Sequence, residues 1–302
     1  MRDVEEIVKA SREAAGDVDL GVAVLEERLL TTALHDVAGD RARAMLFQAG
    51  RLAARRVAEW SGEDTMEGLL ESLSKVVGLE FEVKEDRVVV EGCPECVGFL
   101  GARDPVCHFT RGVISKAYEM ETGERVPVSE VSCRAVGDAE CVFVIGEKGT
   151  PRSPTLDGQT MDDFKDTVDL PSDVKPEHVL AFRALQRSTL ADVVGRGFRA
   201  LMFDAGRRYG RVLREEAGGG PMEDVLAVLE EELGIVVDVD GNVLRVENCP
   251  FCASLTMGPV CDPFRGALYE LCREENVEIR EIRCAGAEGE PVGTCEFELR
   301  RP

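Results

Sequence analysis

Lysine is scarce in this chain. Seven lysines and 29 arginines face 58 acidic residues, for a formal net charge of −22 and a pI near 4.6. Binding a phosphate backbone needs clustered basic side chains, so this balance argues against a nucleic-acid partner. Long apolar runs are also missing: no stretch of 18 apolar residues occurs, so nothing reads as a membrane span. The first sixteen residues, MRDVEEIVKASREAAG, are charged and helical in pattern, unlike a secretory signal. No Walker A glycine loop occurs, and nothing has the pattern of a nicotinamide or flavin site. The expected setting is the cytoplasm, and so many acids with few lysines suit a salty one.

Cysteine, by contrast, is plentiful, with eleven in 302 residues. The first half carries CPEC (Cys93, Cys96), then DPVCHFTRG, then Glu130-Val-Ser-Cys133 and Cys141. The second carries CPFC (Cys249, Cys252), then GPVCDPFRG, then Glu281-Ile-Arg-Cys284 and Cys295. The register extends beyond cysteine. MLFQAGR at Met45–Arg51 matches LMFDAGR at Leu201–Arg207, and both Phe47/Phe203 and Cys93/Cys249 lie 156 positions apart. The offset falls to 154 at Arg111/Arg265 and 151 at Cys133/Cys284, as small loop deletions would produce. The chain reads as a tandem duplication: a first domain over 1–148, a linker over 149–177 rich in Pro, Ser, Thr and Asp, and a second domain over 178–302. Two copies are too few for a solenoid, and an intramolecular pseudo-dimer is the natural arrangement.

Periodicity assigns each copy to α+β, helices packed on a small antiparallel sheet. Helices are expected over 3–14, 22–35, 41–60 and 65–77, followed by a β-hairpin turning at Glu85-Asp86. A further helix is expected to start at Asp104-Pro105 and stop near Gly123, with a second hairpin around Val136–Asp138. The second copy repeats this order with helices over 194–216, 221–233 and 262–275 and hairpins over 235–247 and 278–299.

Cys107, Glu130, Cys133 and Cys141 form the candidate metal site. A hairpin centred on Gly137 sets Cys133 opposite Cys141. Glu130 precedes Cys133 by three residues, so a regular strand would point it to the other face and a bulge or bend is required. Cys107 falls near a helix start, where the dipole favours thiolate. Three thiolates and a carboxylate suit tetrahedral zinc, closed to solvent and structural rather than catalytic. The second copy offers Cys261, Glu281, Cys284 and Cys295, with a longer loop between its last two thiols.

The segment from CPECVGFL through PVCHFTRGVISKAYE to EVSCRAVGDAECVFVI resembles the 4-vinyl reductase domain. This domain occurs in archaeal proteins described as hydrocarbon-binding and in the sensor part of phenol-responsive regulators, and its fold is similar to that of a TRAPP subunit family. The resemblance covers most of both copies. It implies zinc at the two Cys/Glu sets, less securely at the second, where GAEGEPVGTC departs from the short Gly-Asp turn. It also implies a neighbouring pocket for a small hydrophobic ligand. The helices and their surroundings offer Phe47, Phe99, Phe109, Val113 and Tyr118 in the first copy, and Phe203, Leu255, Phe264 and Leu268 in the second. Such residues at helical spacing also make ordinary core. The ATPase and helix-turn-helix of the sensors are missing here, and no catalytic residue is assigned.

Cys93/Cys96 and Cys249/Cys252 are not needed for those zinc sets. A Cys-x-x-Cys pair can ligate a second metal, form a reversible disulfide or help hold an iron–sulfur cluster. A zinc-containing ligand-binding module is therefore the first reading. A thiol redox sensor or metal carrier is the alternative, and an assembly scaffold with a protein or homo-oligomeric partner is the third. Gly50, Gly112, Gly206 and Gly266 sit within expected helices, where glycine costs about 1 kcal/mol, marking either close helix contact or room for a ligand.

Overall fold

The computed structural model describes residues 4–16, 18, 20–96, 105–146, 175–249, 261–273, 277–288 and 293–300. Phe99, Leu255 and Cys252 lie outside these residues. The architecture is α+β, with two four-stranded antiparallel sheets, each packed with helices.

The described elements, in order, are α1 (Val4–Ala14), α2 (Leu20–Ala38), α3 (Asp40–Ser61), α4 (Met66–Val77), β1 (Glu80–Lys84), β2 (Arg87–Glu91), α5 (His108–Thr122), β3 (Val128–Ser132) and β4 (Cys141–Ile145). Then come α6 (Pro176–Val194), α7 (Phe198–Glu216), α8 (Met222–Leu233), β5 (Val236–Asp240), β6 (Val243–Glu247), α9 (Asp262–Leu271), β7 (Glu278–Arg283), α10 (Ala285–Glu288) and β8 (Cys295–Arg300). Strand order is β1-β2-β4-β3 in one sheet and β5-β6-β8-β7 in the other.

The chain packs as two compact units, one within residues 1–8 and 40–195, the other within residues 9–39 and 196–302. These packing units are drawn differently from the sequence repeats. Helix α6 belongs with the first unit, where it packs on α3 and α4, and α2 belongs with the second, where it packs on α7 and α8.

Within the first unit, the β-branched run of β2 buries Val88 and Val90 completely, and these pair with Phe143 and Cys141 of β4. The second unit repeats the arrangement: Leu244 pairs with Phe297 and Val246 with Cys295, all four fully buried. Each sheet thus delivers a cysteine at the start of its third-paired strand into the core.

Helices α3 and α5 cross at glycine. A Cβ on Gly50 would stand 2.0 Å from the Phe109 carbonyl oxygen, and one on Gly112 would stand 2.1 Å from that of Phe47. In the second unit a Cβ on Gly206 would meet the Pro263 carbonyl at 1.8 Å, and one on Gly266 that of Phe203 at 2.1 Å. Between close helix contact and room for a ligand, these four glycines serve close contact. The crossing is tied by Arg51, which donates to Ser115 Oγ at 2.9 Å and pairs with Glu119.

Three boundaries differ from expectation. The helix expected from Asp104-Pro105 begins at His108, because Cys107 occupies the N-cap and Pro105 is non-helical. The helix expected over 194–216 begins at Phe198, set apart from α6 by Gly195 at φ 65° and a 3₁₀ turn. The helix expected to reach 275 ends at Leu271.

Candidate metal centre

The first unit's site is assembled by three devices. The first is a bulge. Glu130 pairs with Phe143 while Ser132 pairs with Val142, so β3 spends an extra residue at Val131, which is 55% exposed. That insertion re-aims the strand and puts Glu130 on the same side as Cys133. β7 repeats it: Glu281 pairs with Phe297 and Arg283 with Glu296, with Ile282 turned out. The bulge required by the Glu-x-x-Cys spacing is present in both sheets.

The second device is the turn after Cys133. The Cys133 N–H donates to Asp138 Oδ2 at 2.8 Å, the Val136 N–H returns to the Cys133 carbonyl at 3.0 Å, and Gly137 takes φ 99°. This closure brings Cys133 back beside Cys141.

The third device is the CPEC segment. The Cys96 N–H donates to the Cys93 carbonyl at 3.3 Å, forming a turn at the end of β2. Its Glu95, 3% exposed, accepts from the Phe109 N–H at 2.7 Å and from both the N–H and hydroxyl of Thr110 at 2.9 Å. A side chain from another loop thus satisfies the free donors of the first turn of α5. Substituting Glu95 with alanine strands these buried donors and frees the CPEC turn. The expected cost is about 2–3 kcal/mol in urea unfolding, and an unchanged midpoint would remove Glu95 from this role.

Cys107, Glu130, Cys133 and Cys141 offer ligand atoms that all lie within 4.8 Å of one another. The Cys107 sulfur is 3.8 Å from that of Cys133 and 3.8 Å from that of Cys141. Glu130 Oε2 accepts the Cys107 N–H at 3.1 Å, while Oε1 is buried with no hydrogen-bond partner among the described residues. The structure also brings in the two cysteines considered unnecessary. Cys93 Sγ lies 3.5 Å from Cys107 Sγ, Cys96 Sγ lies 3.5 Å from Cys141 Sγ, and Cys93, Cys96, Cys107 and Cys141 form a second group of mutually close ligand atoms. No spacing rule in the sequence announces this. The signal that could have found it is Glu95, an acidic residue inside CPEC facing a helix start that has no side-chain cap of its own. His108 is buried beside Cys107 but falls in neither group.

In the second unit Cys261, Cys284 and Cys295 come together, with Cys261 Sγ 3.4 Å from Cys284 Sγ and 3.6 Å from Cys295 Sγ. Glu281 stays outside that group, and its Oε2 is buried with no hydrogen-bond partner among the described residues. After Cys284 the chain forms the short helix α10 in place of the Gly137 turn. Cys249 is buried but outside the thiol group. Cys272 is a core thiol 3.4 Å from the Met222 sulfur.

The electrostatics favour a cation. Hydrogen bonding from Cys107, then from Cys141, holds the Cys93 and Cys133 thiols well below their ordinary range, while burial pushes Cys107 up. Burial, then the charge of Cys133, raises the Glu130 carboxyl well above the usual range. Burial followed by Cys284 raises Glu281 to about 8. Groups this deep cost heavily as anions and hold their protons unless a cation replaces them. Zinc–thiolate bonds of about 2.3 Å give a tetrahedron whose edge is about 3.8 Å, and the sulfur separations of 3.4–3.8 Å match that edge. Thiolates around an iron–sulfur cubane are held apart by the cluster between them, and these sulfurs are too close for that. Thiolates with one carboxylate suit a borderline-soft divalent ion held directly by protein ligands.

Of the residues expected to line a pocket, Phe109, Val113, Phe264 and Leu268 are fully buried, and Phe47, Tyr118 and Phe203 are half-buried. Phe109 meets Phe182 edge-on at 5.2 Å, and Phe264 tilts against Phe297 at 5.6 Å. The guanidinium of Arg111 lies 5.3 Å from the Phe47 ring centre, as Arg265 does at 5.2 Å from Phe203.

Each unit is therefore a helix-covered sheet whose bulged edge strand and helix N-terminus converge on buried thiols. Residues 86–147, from β2 to just past β4, match the V4R domain family. The chain is also similar to an uncharacterized protein of Methanocaldococcus jannaschii, 39% identical over 56 residues, which is 18% of this chain and 30% of that protein's length. No helix among the described residues is long and apolar enough to cross a membrane.

Proposed function

We propose that this chain is a metal-stabilised binding module. Zinc at Cys107, Glu130, Cys133 and Cys141 locks the bulged hairpin to the start of α5, and the adjoining apolar interior receives a small hydrophobic ligand. The observation that carries the reading is the set of three buried thiols and half-buried Glu130, with ligand atoms within 4.8 Å of one another and one buried carboxylate oxygen without a hydrogen-bond partner among the described residues. The V4R match over the same residues supports the ligand-binding part. Four protein ligands leave zinc no open position, so its role is structural, not catalytic. Cys261, Cys284 and Cys295, with Glu281 close behind, supply the corresponding site in the second unit.

Elemental analysis of protein purified under anaerobic, reducing conditions tests the metal, and solvent extraction of the same sample with mass spectrometry tests the ligand. The expected result is zinc in at least stoichiometric amount and a co-purified apolar compound. Iron with labile sulfide, or no metal, would overturn the zinc reading, and a zinc protein that takes up no apolar compound would overturn the ligand half. The presence of Cys93 and Cys96 at the same cluster favours thiol-based metal exchange as the second reading.

A further inference from the structure

We infer that the first unit's thiol cluster is a dinuclear centre, built for two thiophilic divalent cations that share Cys107 and Cys141. This rests on the reading of Cys107, Glu130, Cys133 and Cys141 as a metal site and extends it to the CPEC pair.

Two groups of four mutually close ligand atoms occur in this unit, Cys93/Cys96/Cys107/Cys141 and Cys107/Glu130/Cys133/Cys141. They have two members in common, Cys107 and Cys141, whose sulfurs are 3.8 Å apart. Neither Glu130 nor Cys133 falls in the group with Cys93 and Cys96. Six ligands arranged as two tetrahedra sharing one edge have this pattern: two bridging atoms common to both, and two terminal atoms on each side. The shared edge matches the edge of about 3.8 Å that zinc–thiolate bonds dictate. Each terminal thiol seen in contact touches a bridging one: Cys93 to Cys107, Cys96 to Cys141 and Cys133 to Cys107. Thiolate sulfur is soft and has the lone pairs to bind two ions at once.

Charge leads to the same place. Five thiolates and one carboxylate carry a formal charge of about −6; one divalent ion leaves about −4 and two leave about −2. None of the five thiols is more than 2% exposed, so water does not screen the remainder. A second ion is what would bind Cys93 and Cys96, which a mononuclear site at Cys107, Glu130, Cys133 and Cys141 does not use. Among the described residues, the second unit shows no such overlap. Its described thiol group is Cys261, Cys284 and Cys295 alone, which suits one ion.

Cadmium-113 NMR on the full chain, with metal counted by mass spectrometry, tests this. The expected spectrum contains two resonances split by cadmium–cadmium coupling through the bridging sulfurs, one from a four-sulfur site and one from a three-sulfur, one-oxygen site. The Cys93→Ser/Cys96→Ser variant is expected to bind one ion fewer per chain and to keep one of the two resonances, unsplit. A wild-type spectrum containing no split pair, or an unchanged metal count in that variant, would overturn the inference. The wild-type spectrum decides the matter even if the variant folds poorly. A spectrum without splitting whose resonance still responds to Cys133→Ser sinks only the dinuclear centre. A spectrum in which Cys133→Ser moves no resonance sinks the underlying metal assignment as well.

Discussion

Replacing Cys133 and Cys141 together by serine is expected to strip the first unit of metal and to lower its thermal midpoint by at least about 10 °C. The scale follows from the site. Binding energy at a structural zinc is folding energy, because the unfolded chain holds no preformed site. A loss of about 5 kcal/mol moves the midpoint of a domain this size by about 10–20 °C. Cys141 is fully buried in the middle of the sheet opposite Val90, and Cys133 anchors the turn that closes β3 onto β4. Without the ion, Glu130 is left with a buried unpaired oxygen among serine hydroxyls and the remaining thiols. Calorimetry paired with elemental analysis reads both effects. A variant with its full metal complement and a midpoint within a few degrees of wild type would refute the assignment.

Gly112→Ala is expected to destabilise the protein by about 3 kcal/mol or more, against the direction that helix propensity gives. In an exposed helix interior, alanine is better than glycine by about 1 kcal/mol. Here the added Cβ would stand 2.1 Å from the Phe47 carbonyl oxygen and 2.9 Å from its carbon, and neither is a side-chain end that can swing away. The two helices must separate, and overpacking of this kind costs kilocalories. Because Cys107 holds the N-cap position of α5, the displacement also moves a proposed metal ligand. Gly266→Ala should act likewise in the second unit, where the Phe203 carbonyl stands 2.1 Å away. Urea unfolding supplies the sign, and stabilisation by alanine at either position would contradict the close crossing.

The sequence pattern revealed much of this because the informative features are local. The Glu-x-x-Cys spacing called for a bulge or a bend, and the bulges found eject Val131 and Ile282. The alternating strands and their turns follow from side-chain periodicity over a few residues. What stayed hidden depends on distant chain segments meeting. Nothing near Cys93 and Cys96 says they will fold onto Cys107, because the tie is Glu95 reaching the first turn of α5. Helix α6 lacks the one-sided apolar stripe that marks an amphipathic helix. Every residue from Val179 to Leu190 is buried, including Arg183 and Arg187, so its polar residues interrupt the pattern instead of marking an outer face. Asp104-Pro105 has the chemistry of a cap in the sequence, yet α5 starts at His108 and its cap comes from Glu95, elsewhere in the chain.

The exchange of α2 and α6 between the packing units bears on how the chain is made. A ribosome releases residues in order, and domains generally fold as they emerge. The first unit lacks α6 until residue 194 has been synthesised, well after its sheet and its thiols are in place. Helix α2 is made early, yet the partners it packs on, α7 and α8, begin only at Phe198. Neither unit is thus one continuous run of chain, and the nascent chain carries an uncovered helix and an unfinished core through much of its synthesis. Each unit is assembled from two separate stretches of chain, so neither can close before residue 194 has been made.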